Sequence, residues 1–328
     1  MEESDIRPQK LFQKYLELCA ADAETYFISS QRNDLPCPAC GIQASEPVFE
    51  KSGFGYTVCR SCQTLYQNPR PLLEEFSRFY RESPSAHYWA KEFFPTVAEI
   101  RREKLFKPKV LELARLCKNE NFKPAVVADV GAGFGLFLEE WRNLFPETLT
   151  IAIEPNPDLA EVCRSKKLQV IESFLEETDP LHNKTDMVVA MELIEHVHDP
   201  YKFCLSLRHL LRDGGKLLLT GLTVDGFDIQ TLWEHSKSVS PPHHINFLSV
   251  LGFEKLLTRT GFSNIRIFTP GKLDVDIVKN FMTEKPDILA GQRFIRNLLG
   301  RSDDTLMNFQ IFLSDHQLSS HCWIWAEK

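Results

Sequence analysis

The sequence predicts an α/β protein built on a parallel sheet, preceded by a small four-cysteine ribbon and carrying helical insertions. From residue 124 onward, short, nearly continuous apolar runs alternate with amphipathic stretches. That is the pattern of strands buried on both faces between covering helices. Ahead of them, Cys37/Cys40 and Cys59/Cys62 form two CxxC pairs in a turn-rich stretch containing Pro36, Pro38, Gly41, Gly53 and Gly55. Such paired spacing is the signature of a metal-held ribbon.

Composition limits the function classes. Of 328 residues, 43% are hydrophobic and 25% charged, which excludes a disordered chain and allows a sizeable core. The net charge of −7 gives no overall basic field for nucleic acid or an anionic membrane. Apolar runs such as residues 217–224 fall far short of the ~20 residues a membrane span needs. The first ten residues, MEESDIRPQK, lack an apolar signal core. The expectation is a cytoplasmic protein with no membrane role and with nucleic acid disfavoured as a partner.

Along the chain, residues 11–27 carry apolar positions at helical spacing within an N-terminal helical region, 1–35. The ribbon is expected over 36–70 and an aromatic-rich helical connector over 71–120. A core follows over 121–270, with strands at VVADV (126–130), TIAIE (150–154), LQVIE (168–172), DMVVAM (186–191) and KLLLTG (216–221). Residues 137–145, 158–167 and 201–211 read as the intervening helices. The final region, 271–328, adds a helical insertion and a last antiparallel strand, HCWIWAE (321–327).

Eighteen residues, 41 to 58, separate the two cysteine pairs. Each CxxC turn brings two thiolates to one ion, and two turns on a ribbon make the four-sulfur cage that zinc accepts. Cys37, Cys40, Cys59 and Cys62 are therefore the expected ligands of a structural zinc. The odd count of nine cysteines argues against a disulfide framework. Cys19, Cys117, Cys163, Cys204 and Cys322 stand singly in apolar or helical contexts and read as small buried hydrophobes.

Strand VVADV runs into Gly131-Ala132-Gly133-Phe134-Gly135 and then a helix. Glycines permit the tight turn and let backbone approach a ligand. The next strand ends in Glu154, where an acid can accept hydrogen bonds from two ribose hydroxyls. A nicotinamide fingerprint would place its third glycine where this chain has Leu136.

These residues resemble a known family. Asp129-Val130-Gly131-Ala132-Gly133-Phe134-Gly135 followed by Glu154 is similar to the first two motifs of class I S-adenosylmethionine (SAM) methyltransferases, which have a Rossmann-like sheet. DMVVAMELIEHVHDP (186–200) resembles their fourth-strand motif and LRDGGKLLL (211–219) their turn into the fifth strand. The resemblance implies that Asp129 and the glycines contact the methionine moiety and that Glu154 holds the ribose. Ser173 and Phe174 would lie near adenine, with Glu192 also in the cofactor-binding set. A four-cysteine ribbon, then LYQNPRP (65–71), then an aromatic helical segment resembles a subgroup containing nucleotide-sugar C-methyltransferases and polysaccharide-cluster enzymes. In that subgroup a tyrosine, a glutamate and a histidine lie near the sugar. Here His244 matches the histidine, with His243 in the glutamate's place and Pro241 in the tyrosine's.

Chemistry is expected at the carboxyl ends of the strands. There the sequence places Glu192, Glu195, His196, His198 and Asp199 after the fourth strand, and His243 and His244 after the fifth. His196, His244 and His243 are the candidate catalytic residues, because neutral imidazole can take a proton near pH 7. Glu192, Glu195 and His196 also resemble a metal-binding segment of some O-methyltransferases, an expectation of a second divalent ion. Tyr80, Tyr88, Trp89, Phe93, Phe94, Arg101 and Arg102 read as a lid or an apolar interface. Arg70 and His321 are further pocket candidates. The leading expectation is methylation, on oxygen or carbon, of a small-molecule acceptor of the nucleotide-activated sugar type. The alternatives are RNA or quinone-like methylation, and a SAM-binding scaffold without activity.

Overall fold

The computed structural model describes residues 2–175 and 181–328. The chain divides into two compact units, each assembled from separated segments. The sheet unit comprises His87–Thr220, Glu254–Arg266 and Ile324–Lys328. The ribbon unit comprises Met1–Ala86, Gly221–Phe253 and Ile267–Trp323.

The sheet unit is organised by seven strands: β1 Val126–Val130, β2 Leu149–Ile153, β3 Gln169–Ile171, β4 Thr185–Met191, β5 Leu211–Leu222, β6 Ser263–Phe268 and β7 His321–Glu327. Their order is β6-β7-β5-β4-β1-β2-β3. β5, β4, β1, β2 and β3 run parallel, with Ala128 opposite Val188 and Ile151. The Lys328 amide donates to Gly215 O near the start of β5, and the Thr223 amide donates to Ser320 O just beyond its end. β7 therefore runs antiparallel, as the sequence predicts. The inner strands are apolar without alternation because both faces are covered. Val127, Ala128, Val188 and Val189 are fully buried.

Local sequence chemistry starts the covering helices. Asn156 caps Pro157–Ser165, accepting from the Leu159 amide at 3.2 Å. Asp199 caps Pro200–Leu210, accepting from the Lys202 amide at 3.1 Å. Both helices open on proline, whose missing N–H costs nothing at that position. Ahead of the sheet, residues 87–119 are helical with two π-type turns, Trp89–Phe93 and Arg102–Phe106. The Arg102 guanidinium binds Glu140 at 2.7 Å and Glu139 at 2.8 Å on the helix that follows β1. The five single cysteines, Cys19, Cys117, Cys163, Cys204 and Cys322, are all buried.

The ribbon unit contains a four-stranded sheet in the order Asn246–Phe247, Leu65–Gln67, Phe54–Cys59, Ser45–Lys51. Its edge strand comes from a segment nearly two hundred residues downstream of the cysteine pairs. One core cluster joins Phe54, Tyr56 and Leu65 of the ribbon to Phe27, Phe76, Phe79, Ile245 and Phe247. The ribbon therefore shares its core with the amino-terminal helix Gln9–Phe27 and with the segment after β5.

A second cluster is formed by Leu232 of the helix Phe227–Leu232 with Val278, Phe281, Leu299, Leu306 and Leu313 of the carboxyl-terminal helices. Nearby, Asp274 accepts from the Ser320 amide at 2.7 Å, from Gln310 Nε2 at 2.8 Å and from Ser319 Oγ. Asp228 is wholly buried, and burial, together with the Asp274 charge, pushes its pKa up to about 8. A carboxyl whose folded pKa is raised adds no cost below its unfolded value near 4. Stability is then lost as pH rises toward 8. Asp228→Asn, which keeps the shape without the charge, should be more stable than wild type at pH 8 by on the order of 2 kcal/mol. Thermal melts at pH 4.5, 6.5 and 8 check this. A difference that does not shrink toward acid pH would contradict it.

Candidate functional site

In the sheet unit the glycine turn lies at the carboxyl end of β1. The Gly131 amide donates to Ile153 O at 2.8 Å, binding the turn to the end of β2. Gly131 has φ +68°, and a Cβ there would lie 2.6 Å from Leu193 Cδ1. Gly133 has φ +54°, and a Cβ there would meet nothing closer than Gly131 O at 4.0 Å. The first glycine suits the left-handed backbone beside Leu193, and the second leaves open space above the turn.

Glu154, at the end of β2, is oriented by the backbone. Its Oε2 accepts from the Gly133 amide at 2.8 Å and its Oε1 from the Asn156 amide at 2.9 Å. Each oxygen keeps a second lone pair for another donor. Asp129 is 2% exposed. Burial, then the Glu154 charge, holds its carboxyl well above the usual range, and Lys109 opposes this. Burial raises Glu154 as well, against the two amides it accepts from. Two acids compressed into one corner attract a cation. Ser173, just past β3, has a buried Oγ with no hydrogen-bond partner, and Phe174 beside it is exposed.

Open space over Gly133, an acid with spare lone pairs, two mutually repelling carboxylates and an unspent hydroxyl suit a ligand that is cationic at one end and carries hydroxyls. SAM has that chemistry, so the residues present fit it.

Glu192 follows β4 with φ +54°, a left-handed conformation that costs a non-glycine residue about 1–3 kcal/mol. Lys109 Nζ holds its carboxylate at 3.0 Å, and Thr220 Oγ1 donates to it at 2.7 Å. The residue is thereby already neutralised, which disfavours it as a metal ligand. Glu195 is 2% exposed, with Oε2 lacking a partner. Burial, then Glu192, raises its pKa well above the usual range. The connector reaches this corner too. Phe94 stacks on Phe134 of the glycine turn at 4.4 Å, and Arg101 lies over the Trp89 and Phe94 rings.

In the ribbon unit, Cys37 Sγ and Cys62 Sγ are 3.6 Å apart and Cys40 Sγ and Cys59 Sγ 3.5 Å. All four sulfurs lie within 4.8 Å of one another. Tetrahedral zinc at about 2.3 Å from each sulfur sets neighbouring sulfurs about 3.8 Å apart, whereas a disulfide needs about 2.05 Å. The cluster fits the ion. Each pair ends in a turn, the Gly41 amide donating to Cys37 O and the Gln63 amide to Cys59 O, both at 2.8 Å.

The same unit places the two adjacent histidines differently. His243 is 5% exposed. It sits against the rings of Tyr15, Phe79 and Tyr80, with Nε2 3.0 Å from Ser85 Oγ. Burial, then His244, lowers its pKa to about 3, so it is neutral near pH 7. His244 Nδ1 donates to Ser238 O at 2.6 Å. A carbonyl can only accept, so the neutral imidazole carries its lone pair on Nε2. Ribbon residues hold this segment: Tyr56 donates to His244 O at 2.6 Å, the Gln67 amide to Ile245 O at 2.9 Å, and Arg70 to Asn246 Oδ1 at 2.7 Å. Arg70 is thus buried and structural in its contacts. His321 Nε2 accepts from Trp323 Nε1 at 3.0 Å. Sequence reasoning missed Lys109, Thr220, Tyr56 and Ser85. Thr220 meets Glu192 across 28 residues and the other three meet their partners across 83 or more, separations for which no local motif exists.

A family model described as a methyltransferase domain matches residues 97–267, just over half of the chain. The chain belongs to this family. Among similar proteins, the tRNA U34 carboxymethyltransferase of Syntrophotalea carbinolica is 28% identical over 147 residues, 43% of this chain and 45% of that one. The ubiquinone biosynthesis O-methyltransferase of Xanthomonas euvesicatoria pv. vesicatoria is 33% identical over 105 residues, 30% and 43% of the two chains. The chain thus spans about half the length of the curated relatives it matches. A plantazolicin methyltransferase solved with S-adenosylhomocysteine superposes with TM-score 0.51 at 13% identity, covering 77% of this chain and 93% of that one. A SAM-dependent methyltransferase from Archaeoglobus fulgidus gives 0.50 at 16%, covering 73% and 100%. At these identities the likeness is one of fold. Among the described residues of the methyltransferase, no helix is long and apolar enough to cross a membrane.

Proposed function

We propose that the protein is a SAM-dependent methyltransferase acting on oxygen or carbon of a small, hydroxylated acceptor of the nucleotide-activated sugar class, with a structural zinc in its ribbon. The observation that carries the methyltransferase reading is the Gly133–Glu154 hydrogen bond, which joins the open glycine turn to an acid aimed by the backbone. Bound SAM would supply an electrophilic methyl group. Asp129, Gly131, Gly133, Gly135, Glu154, Ser173, Phe174 and Glu192 form the cofactor cradle in this reading. Phe94 and Phe134 shield it from water, which favours displacement by excluding competing nucleophiles.

His244 takes the role of general base, because its Nδ1 bond to Ser238 O fixes the tautomer with a basic Nε2. His243 is a positioning residue, neutral and wedged among rings beside it. His196 remains a candidate acceptor contact. The sugar class rests on the resemblance of the ribbon and the His243-His244 segment to sugar methyltransferases. The net charge of −7 disfavours an RNA acceptor.

The test is release of S-adenosylhomocysteine with pooled nucleotide-activated deoxysugars, against pooled ring-hydroxyl acceptors and tRNA. Turnover on the sugars alone is expected. Turnover confined to another pool would overturn the acceptor and leave the reaction class. His244→Gln should lower kcat by about 10²–10⁴-fold with S-adenosylhomocysteine affinity unchanged. His243→Gln should show a smaller loss. Calorimetry for the ligand and steady-state rates for kcat separate the two effects.

A further inference from the structure

Helices Arg293–Leu299 and Asp303–Asp315 are joined by three residues, 300–302. They lean on one buried cluster through Leu299, Leu306 and Leu313. Both helices carry exposed apolar side chains, with Phe294 72%, Met307 57%, Ile311 51% and Phe312 46% exposed. On the second helix Asp304, Met307, Ile311 and Asp315 recur at steps of three or four residues, so they form one stripe. Large exposed apolar patches on soluble domains mark interaction sites.

Charge is segregated between the two helices. Residues 293–301 contain Arg293, Arg296 and Arg301 and no acid, whereas residues 303–315 contain Asp303, Asp304 and Asp315 and no base. Lys279 reaches Asp303 at 3.5 Å. Among the described residues, Arg293, Arg296, Arg301, Asp304 and Asp315 have no ion-pair partner. An open groove of about 870 Å³ lies along the basic helix, lined by Met282, Pro286, Arg293, Phe294, Arg296 and Asn297.

We propose that these two helices form a two-fold interface with a second copy of the chain. The acidic, apolar stripe of one copy seats in the arginine-lined groove of the other, and the reverse. The occupant is a second copy because this chain carries both halves of the complementary pair. A two-fold axis brings each half against its opposite, covers both apolar faces and closes the assembly without further growth.

Sedimentation of the full chain at 1–100 µM tests this. The expected result is a species of twice the chain's mass, with a dissociation constant at least tenfold weaker in 500 mM than in 50 mM salt, because exposed charges are screened. Arg293→Glu with Arg296→Glu should make the protein monomeric, as should Asp304→Lys with Asp315→Lys, and both should melt like wild type. Mixing the two variants should restore a dimer, since reversed groove then meets reversed stripe. A wild type that stays monomeric at 100 µM overturns the proposal. So does a dimer that neither charge-reversed variant weakens, and so do variants that remain monomeric when mixed.

Discussion

Cys37→Ser is expected to empty the four-cysteine cluster and unfold the ribbon rather than loosen it. The four sulfurs are grouped within 4.8 Å, and structural zinc contributes on the order of 10 kcal/mol to folding in small metal-held modules. That equals or exceeds the whole stability of a typical domain, about 5–15 kcal/mol. The strands the cysteines anchor also hold the His244 segment, through Tyr56, the Gln67 amide and Arg70. Loss of the ion should therefore abolish turnover without touching the cofactor cradle. Elemental analysis should find one zinc per wild-type chain and nearly none in the variant. Limited proteolysis should cut the variant first within residues 36–70. A wild type purified without metal, or a variant that melts as wild type does, would end the zinc reading.

Gly133→Val is expected to abolish binding of S-adenosylhomocysteine while the chain stays folded. Gly133 has φ +54° and open space over its Cα. A β-branched residue is strained there, at a cost of about 1–3 kcal/mol, and its methyls occupy the space above the turn. The Gly133 amide also aims Glu154, so a shifted turn misdirects the acid. Affinity measured by calorimetry should fall at least 100-fold, about 2.7 kcal/mol. Glu154→Ala should approach the same loss by another route, because it removes an acceptor without filling the space. Tight binding by the valine variant would place the ligand elsewhere.

Several features were legible in the sequence because they are local. Asp129, the glycines and Glu154 stand at the ends of consecutive strands, where alternating apolar runs and a tight turn leave few geometries. The CxxC pairs similarly fix which sulfurs can meet. The sequence presents His243 and His244 as equivalent neighbours. The fold buries His243 among Tyr15, Phe79 and Tyr80 and gives His244 a tautomer-setting carbonyl. The burial of His243 does not follow from spacing, because its ring neighbours stand as far back in the chain as Tyr15, and the His244 tautomer is set by how the turn between them brings Ser238 O back to the ring.

By itself, the sequence determined the parallel strands and the tight glycine turn, and its motifs resembled the family that the chain belongs to. The strands and the turn arise from periodicity and from backbone demands within a few residues. Tertiary structure decided which charges are neutralised, as Lys109 does for Glu192 while Thr220 donates a hydrogen bond to the same carboxylate. It also decided that the ribbon's outer strand is Asn246–Phe247, drawn from the segment after β5. Strand pairing is satisfied by whichever unpaired edge the folded chain brings close. A sequence read along its length reveals segments with that capacity but not the edge each will meet.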